Sequence, residues 1–364
     1  MSDSDGYTPN WRTFRRTAHA EPLDSVAGGH TDASGPASAR PALTCNNPRV
    51  NPNSEAELRE RIFTKLRQLT ASSGGSLTRT DLENFEVDGT KIPLIDRNRG
   101  IRNPRDSSST LSIMSKPGSE YEDDTVGDSL FSYAYRKGPI DVGDNVKLRR
   151  SYVTQLPFIL LRWIDVGAGA RYVPIFPVFT VADNVDARCI VIALDQSLRE
   201  VSDPTHLTPI ERRYAQSVTK RRLHQPQFRI QVLMAYQNRC ALCMLGRPQL
   251  LEAAHIIADS EDHSTAAINN GLSLCNIHHA AFDRNLVGIS PDFKIHIGPE
   301  LMDSQNEGPI LEYALKGLNN TDLHLPASKK HYPAKDALAE RFDRFLTEGN
   351  TQQATRGLDM RWLK

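Results

Sequence analysis

No stretch of the chain approaches the roughly 18 consecutive apolar residues that a membrane span needs. Hydrophobic residues make up 39% of its 364 residues and mean hydropathy is −0.46, values of a soluble globular protein. The opening residues, Met1 to Arg16, hold no apolar core of the kind a secretory signal requires. An excess of one charge is missing too: 44 Lys+Arg face 44 Asp+Glu. A nucleic-acid partner would therefore have to be met by locally clustered cations rather than by overall charge. Cysteine is scarce and odd in number, five in all, which argues against a disulfide framework. Three of the five share one short segment, a pattern that points to metal in a reducing, cytoplasmic compartment.

The chain is long enough for two ordinary domains and tails, and it contains no internal repeat. Residues 1–53 are rich in Ser, Ala, Gly, Pro and Asp and read as a disordered tail. Order begins at Ser54, where Ser54-x-x-Glu57 forms a capping box ahead of Leu58, Ile62, Leu66 and Leu69 at helical spacing. A short second helix fits Thr80 to Phe85. From Gly89 to about Leu194, apolar runs such as LPFILLRWIDV, RYVPIFPVFTV and ARCIVIALD alternate with turn residues. That texture predicts a mainly β domain, closed into a barrel with flanking helices. Asp203-Pro204 and Thr208-Pro209 mark a basic linker over 201–227. A helix from Phe228 to Tyr236 then leads into a compact domain over 228–300. Residues 301–364 read as an extension with one helix, DALAERFDRFLTEG. The fold class is thus α+β.

The densest chemistry lies between Cys240 and Asp283. Cys240-x-x-Cys243 is followed about thirty residues later by Cys275-x-x-His278. Two such pairs supply the four soft ligands of a tetrahedral structural Zn²⁺, a clamp for a region too small to bury much apolar surface. Cys45 falls in the tail and Cys189 in a core strand. Within the same segment His255 ends a strand-like LLEAA, Asn270 opens the next strand, and His279 lies on a helix with Asp283 four residues on.

This order of zinc pairs, His, Asn and His resembles the HNH endonuclease family with its ββα-metal fold, over roughly Phe228 to Ile297. The resemblance implies that His255 is the general base, that Asn270 holds the loop and orients it, and that His279 binds a catalytic Mg²⁺ or other divalent cation. Many family members carry Asp or His just before the base; here that position is Ala254. Asp283 could complete the metal site, or serve only as a helix acid; Asp259 and His263 are weaker candidates.

The N-terminal half is similar, more weakly, to SRA-type readers of modified cytosine, PUA-like barrels that flip a base into an aromatic pocket. The similarity rests on the YAYR…DN…LRRSY…P pattern. It implies stacking by Tyr133, Tyr135 or Tyr152 and base-edge contacts from Asp144 and Asn145. Plain alternatives stay open: one face of a strand for the tyrosines, a turn for Asp144-Asn145. Two basic patches could contact phosphates, Arg97, Arg99 and Arg102 in one, Lys220, Arg221, Arg222 and Arg229 in the other. The expected whole is a metal-dependent endonuclease on double-stranded DNA, with modified cytosine as the candidate target feature and a homodimer as the candidate assembly. Two rivals remain: an HNH nuclease switched on by a small nucleotide signal, and a non-catalytic zinc DNA-binding module.

Overall fold

The computed structural model describes residues 52–96, 98–116, 130–165, 169–305 and 308–359. The expected tail lies outside them except for its last two residues, which open the first helix. Helix α1 (Pro52–Ser72) starts ahead of the expected Ser54, since proline is well suited to a first turn, where its missing N–H has no partner to lose. Ile62 and Leu66 of α1 are fully buried. So is Arg59, whose guanidinium donates to the carbonyls of Thr110 and Pro157 at 2.9 and 2.6 Å and pairs with Glu55 at 2.7 Å. Helix α2 (Arg79–Glu83) is capped by Thr78, not the expected Thr80, with Asp81 closing the box. A small hairpin follows, β1 (Glu86–Val87) with β2 (Thr90–Lys91).

The β-rich region forms one curled sheet. Its strands are β3 (Ile101–Arg102), β4 (Ser112–Ser115), β5 (Phe131–Ala134), β6 (Phe158–Asp165), β7 (Ala170–Asn184) and β8 (Cys189–Ala193). Their spatial order is β3-β4-β6-β7-β8-β5, antiparallel except for the parallel β4–β6 pair. β7 pairs with β6 along its first half and with β8 along its second, with an irregularity in each register; that handover bends the sheet. The closed barrel expected from the alternation is absent among the described residues: β3 and β5 remain edges. They nevertheless come close, because the Tyr133 hydroxyl on β5 donates to the carbonyls of Gly100 and Met114 at 3.3 Å. Both faces are covered. Phe158 and Leu160 of β6 enter one core with helix α3 (Asp144–Thr154), while Ile159 and Leu161 enter another beneath α1. Burial on both faces is why β6 reads as an unbroken apolar run.

The segment 201–227 is largely helix rather than linker. Helix α4 (Pro209–Thr219) is capped by the Thr208–Glu211 box, passes through a π turn at Lys220–His224, and continues as α5 (Gln225–Ala235). The rod belongs to two cores. Ala215, Val218 and Leu223 pack under the sheet; Phe228, Val232 and Leu233 pack into the C-terminal core.

That second core is built from the hairpin β9 (Leu251–His255) and β10 (Gly271–Cys275), helix α6 (Asn276–Asp283), and the strand pair β11 (Val287–Ile289) and β12 (Ile295–Ile297). Two short helices follow, α7 (Pro299–Asp303) and α8 (Pro309–Ala314), then the long α9 (Lys335–Asp359). The expected boundary at residue 300 does not divide this core. Leu323 and Leu338 are buried in it, and Phe345 of α9 lies so close to Gly288 that a Cβ there would sit 2.4 Å from its ring.

Candidate nuclease site

The C-x-x-H pair works because β10 runs straight into α6. Cys275 is the residue before the helix, and His278 lies one turn on, so its Nδ1 is 3.2 Å from Cys275 Sγ. The C-x-x-C pair arrives on a tight turn in which Met244 takes a positive φ of 61°. Cys240 Sγ lies 3.4 Å from His278 Nδ1 and accepts the Cys275 N–H at 3.3 Å. The ligand atoms of Cys240, Cys243, Cys275 and His278 all lie within 4.8 Å of one another. Tetrahedral Zn–S bonds would put sulfurs roughly 3.8 Å apart, so the cluster fits a zinc-sized ion. The ring is oriented as well: His278 Nε2–H donates to the Ala314 carbonyl of α8 at 2.7 Å, which turns Nδ1 to the sulfurs, where an ion would replace its proton. Burial acts to lower the His278 pKa, but hydrogen bonds to Cys240 and Cys275 outweigh it and raise it to about 10. The sulfurs thus draw positive charge to the spot that a metal would take.

His255 closes β9 directly opposite Gly271. Its imidazole lies flat on the Phe228 ring, centroids 4.0 Å apart and planes 16° apart. The ring is half-buried, and Nε2 is sealed from solvent without a hydrogen-bond partner among the described residues. Burial pushes its pKa below the usual 6.5; the cationic forms of Lys220 and His279 push the same way, and Asp259 and Asp283 oppose them. The base candidate is therefore neutral near pH 7. Asn270 fixes the loop that follows. Its Oδ1 accepts from the Ile257 N–H at 2.9 Å, and its Nδ2 donates to the carbonyls of Ile257 and Thr265 at 3.2 and 2.9 Å. A fully engaged buried amide of this kind holds a loop rigidly.

Gly271 makes this packing possible. A Cβ at that position would lie 2.4 Å from Val232 Cγ2 and 2.8 Å from the Phe228 ring. Gly271→Ala is expected to cost about 1–3 kcal/mol in denaturant unfolding and, by displacing Phe228, to tilt the base resting on it. Unchanged stability together with unchanged activity would show that neither contact matters.

His279 is half-buried on α6, between two carboxylates. Its Nδ1 meets Glu252 Oε2 at 2.5 Å and its Nε2 meets Asp283 Oδ2 at 3.3 Å. Glu252, on β9, was not anticipated. Its carboxylate fixes a proton on Nδ1 and so turns Nε2 toward Asp283 as a donor pair for an ion. Ala254 is fully buried and adds no ligand. One imidazole nitrogen and one carboxylate suit a hard divalent cation that keeps waters and borrows phosphate oxygens.

The remaining expected residues have other partners. Arg222 donates to the carbonyls of Phe176 and Pro177 at 2.6 and 3.2 Å and to that of Leu194. Arg229 donates to Gly74, Pro248 and Leu251 carbonyls at 2.7–3.0 Å. Both therefore fasten the sheet half to the C-terminal half instead of presenting charge to phosphate. Arg221 faces Asp195 at 3.5 Å, and Arg102 donates to the Pro93 carbonyl at 3.1 Å. Arg97 lies outside the described residues. Tyr133 and Tyr135 are buried, the latter bonded through its hydroxyl to Asp183, so they offer no open stacking face. Asp144 and Asn145 start α3 instead of forming a turn. Asp144 pairs with Arg99 and Arg136, and Asn145 ties down the Arg136 main chain. Tyr152 is half-buried. Asp259 and His263 engage Lys220 and Glu340.

Residues 240–290, which span the cysteine quartet, the β9–β10 hairpin, α6 and β11, match the family described as HNH endonuclease. The chain thus carries an HNH nuclease domain and is an enzyme. No curated protein matches it. Among solved structures it is similar to a "Modification dependent TagI restriction endonuclease", at 19% identity over 67% of this chain and 84% of that one, TM-score 0.26. It is also similar to a "Type IV phosphorothioation-dependent restriction endonuclease ScoMcrA", at 14% identity over 70% of this chain and 56% of that one, TM-score 0.20. Likenesses at these scores carry no argument about fold. Among the described residues no helix is long and apolar enough to cross a membrane.

Proposed function

We propose that the protein is a metal-dependent endonuclease that hydrolyses DNA phosphodiester bonds, and that it acts as a modification-dependent restriction enzyme in the cytoplasm. The carrying observation is His255, stacked on Phe228 beside a loop pinned by Asn270, inside the segment that matches the HNH family. His255, an imidazole that burial keeps less basic than usual, takes a proton from the attacking water. Asn270 keeps the loop, and so the ring, in one orientation. Glu252 sets the His279 tautomer, and His279 and Asp283 would hold the divalent ion. When bound, such an ion supplies charge neutralisation at the scissile phosphate and the leaving oxygen. Zn²⁺ is the ion proposed for the Cys240–Cys243–Cys275–His278 quartet. Two sites acting on the two strands of a duplex would favour a homodimer.

Recognition of a modified base is assigned to residues 54–200, on the resemblance of that half to modified-cytosine readers. Because Tyr133, Tyr135, Asp144 and Asn145 are spent on core contacts, other side chains of that half must meet the base.

The test is a cleavage panel on duplexes carrying cytosine, methylcytosine, hydroxymethylcytosine or glucosylated hydroxymethylcytosine, with Mg²⁺, Mn²⁺ or Ni²⁺. Cutting confined to modified duplexes, with Mg²⁺ or Mn²⁺ best, is expected; Asp283→Asn should then demand a higher metal concentration. Equal cutting of all duplexes would overturn the modification reading. Tight binding with no cutting under any metal would identify a non-catalytic module.

A further inference from the structure

The α4–α5 rod is irregular at one place only, the π turn Lys220–His224. A π turn is a poorer helix and is often found where it aims particular side chains at a functional site. Here two side chains of the turn reach into different halves of the molecule. Arg222 grips the sheet at the Phe176, Pro177 and Leu194 carbonyls. Lys220 reaches the nuclease loop: its Nζ donates to the Asp259 carbonyl at 2.6 Å and pairs with the Asp259 carboxylate at 3.0 Å. Asp259 lies four residues beyond His255, in the loop that Asn270 holds at Ile257. The far end of that loop is tied to α9, where Arg344 meets Glu261 and His263 meets Glu340, each at 3.1 Å.

We propose that Lys220 is a positioning residue of the nuclease, holding the loop behind His255 through Asp259 and joining it to the rod that the sheet half grips. This rests on the nuclease reading above. The competing use of Lys220 is a phosphate contact, as its place in a basic run would suggest. Two of its three N–H donors already point at Asp259, and its neighbours Arg222 and Arg229 are likewise spent on main-chain carbonyls.

The two uses separate experimentally. Lys220→Met keeps the aliphatic stem and removes the tether. The expected result is a kcat lower by roughly 10- to 100-fold, the scale of a displaced catalytic group, with KM unchanged. DNA affinity and its salt dependence, measured in a His255→Ala background, should also stay unchanged. Lys220→Arg should restore most of kcat. Asp259→Asn should resemble Lys220→Met, and the double variant should be no worse than either single one. Amide exchange over 256–265 should quicken in Lys220→Met. A weakened affinity with a salt slope lower by about one and kcat intact would mark a phosphate contact and overturn the proposal. Unchanged kcat with unchanged exchange would also overturn it. A wild-type chain that cuts nothing would instead sink the nuclease reading, and the exchange rates would still decide whether Lys220 holds the loop.

Discussion

His255→Ala should cut DNA about 10²- to 10⁴-fold more slowly than the wild type, the usual contribution of a general base, while binding the same duplex with unchanged affinity. The ring has no other structural employment of comparable weight. It lies on Phe228 at the end of β9, and its Nε2 has no protein partner among the described residues. The pH profile offers a second reading of the same claim. Burial holds the imidazole pKa below 6.5, with help from Lys220 and His279. Activity should therefore climb with pH through that lowered value and be level above 6.5. Because the folded state resists protonating this ring, its contribution to stability is complete above 6.5 and declines as the pH falls through the lowered value. Single-turnover rates from pH 4.5 to 8 check this. An acid limb centred above pH 6.5, or substantial residual cutting by the alanine variant, would assign the proton transfer to another group.

Cys275→Ser should unfold the C-terminal core and leave the sheet half folded. Metal analysis should fall from about one zinc per chain to none. Cys275 joins β10 to α6 and meets both Cys240 and His278. The hairpin it terminates has five paired residues on each strand, and an isolated two-stranded hairpin is marginal in water. Structural zinc supplies folding free energy on the order of 10 kcal/mol or more in small domains, so loss of one thiolate is poorly compensated. Limited proteolysis separates the two halves: residues 240–345 should become sensitive while 54–200 stay resistant. A variant that binds no metal yet keeps the wild-type melting temperature would show that the quartet is an ordinary set of buried thiols.

Much of this site could be read from residue order because its parts are encoded by spacing. A C-x-x-H pair at a strand–helix junction needs only local geometry to converge, and Asn270 follows His255 across one loop. Glu252 left no such mark. An exposed acid on a strand looks ordinary until α6 is laid over β9 and His279 comes to face it. The cation runs were legible as composition, but their partners were not. Arg222 and Arg229 bind main-chain carbonyls, which no side-chain pattern announces, and the carbonyl of Ala314 that sets the His278 tautomer is equally silent. Pro204 and Pro209 suggested a linker. Pro209 instead starts α4, and Pro226 falls where the π turn gives way to α5, a place where a missing N–H costs least. The curled sheet was visible as alternating runs; its open edges depend on pairings distant in sequence.

The C-terminal helix carries a consequence for how the molecule comes into being. Leu338 and Phe345 fill the same core as Phe228, Leu272 and Phe282, and Arg344 steadies the loop after His255. During synthesis the earlier half has all its strands and covering helices long before α9 leaves the ribosome. A nascent chain would thus have its sheet half assembled while the C-terminal core still lacks Leu338 and Phe345, so the segment that holds His255 would settle last.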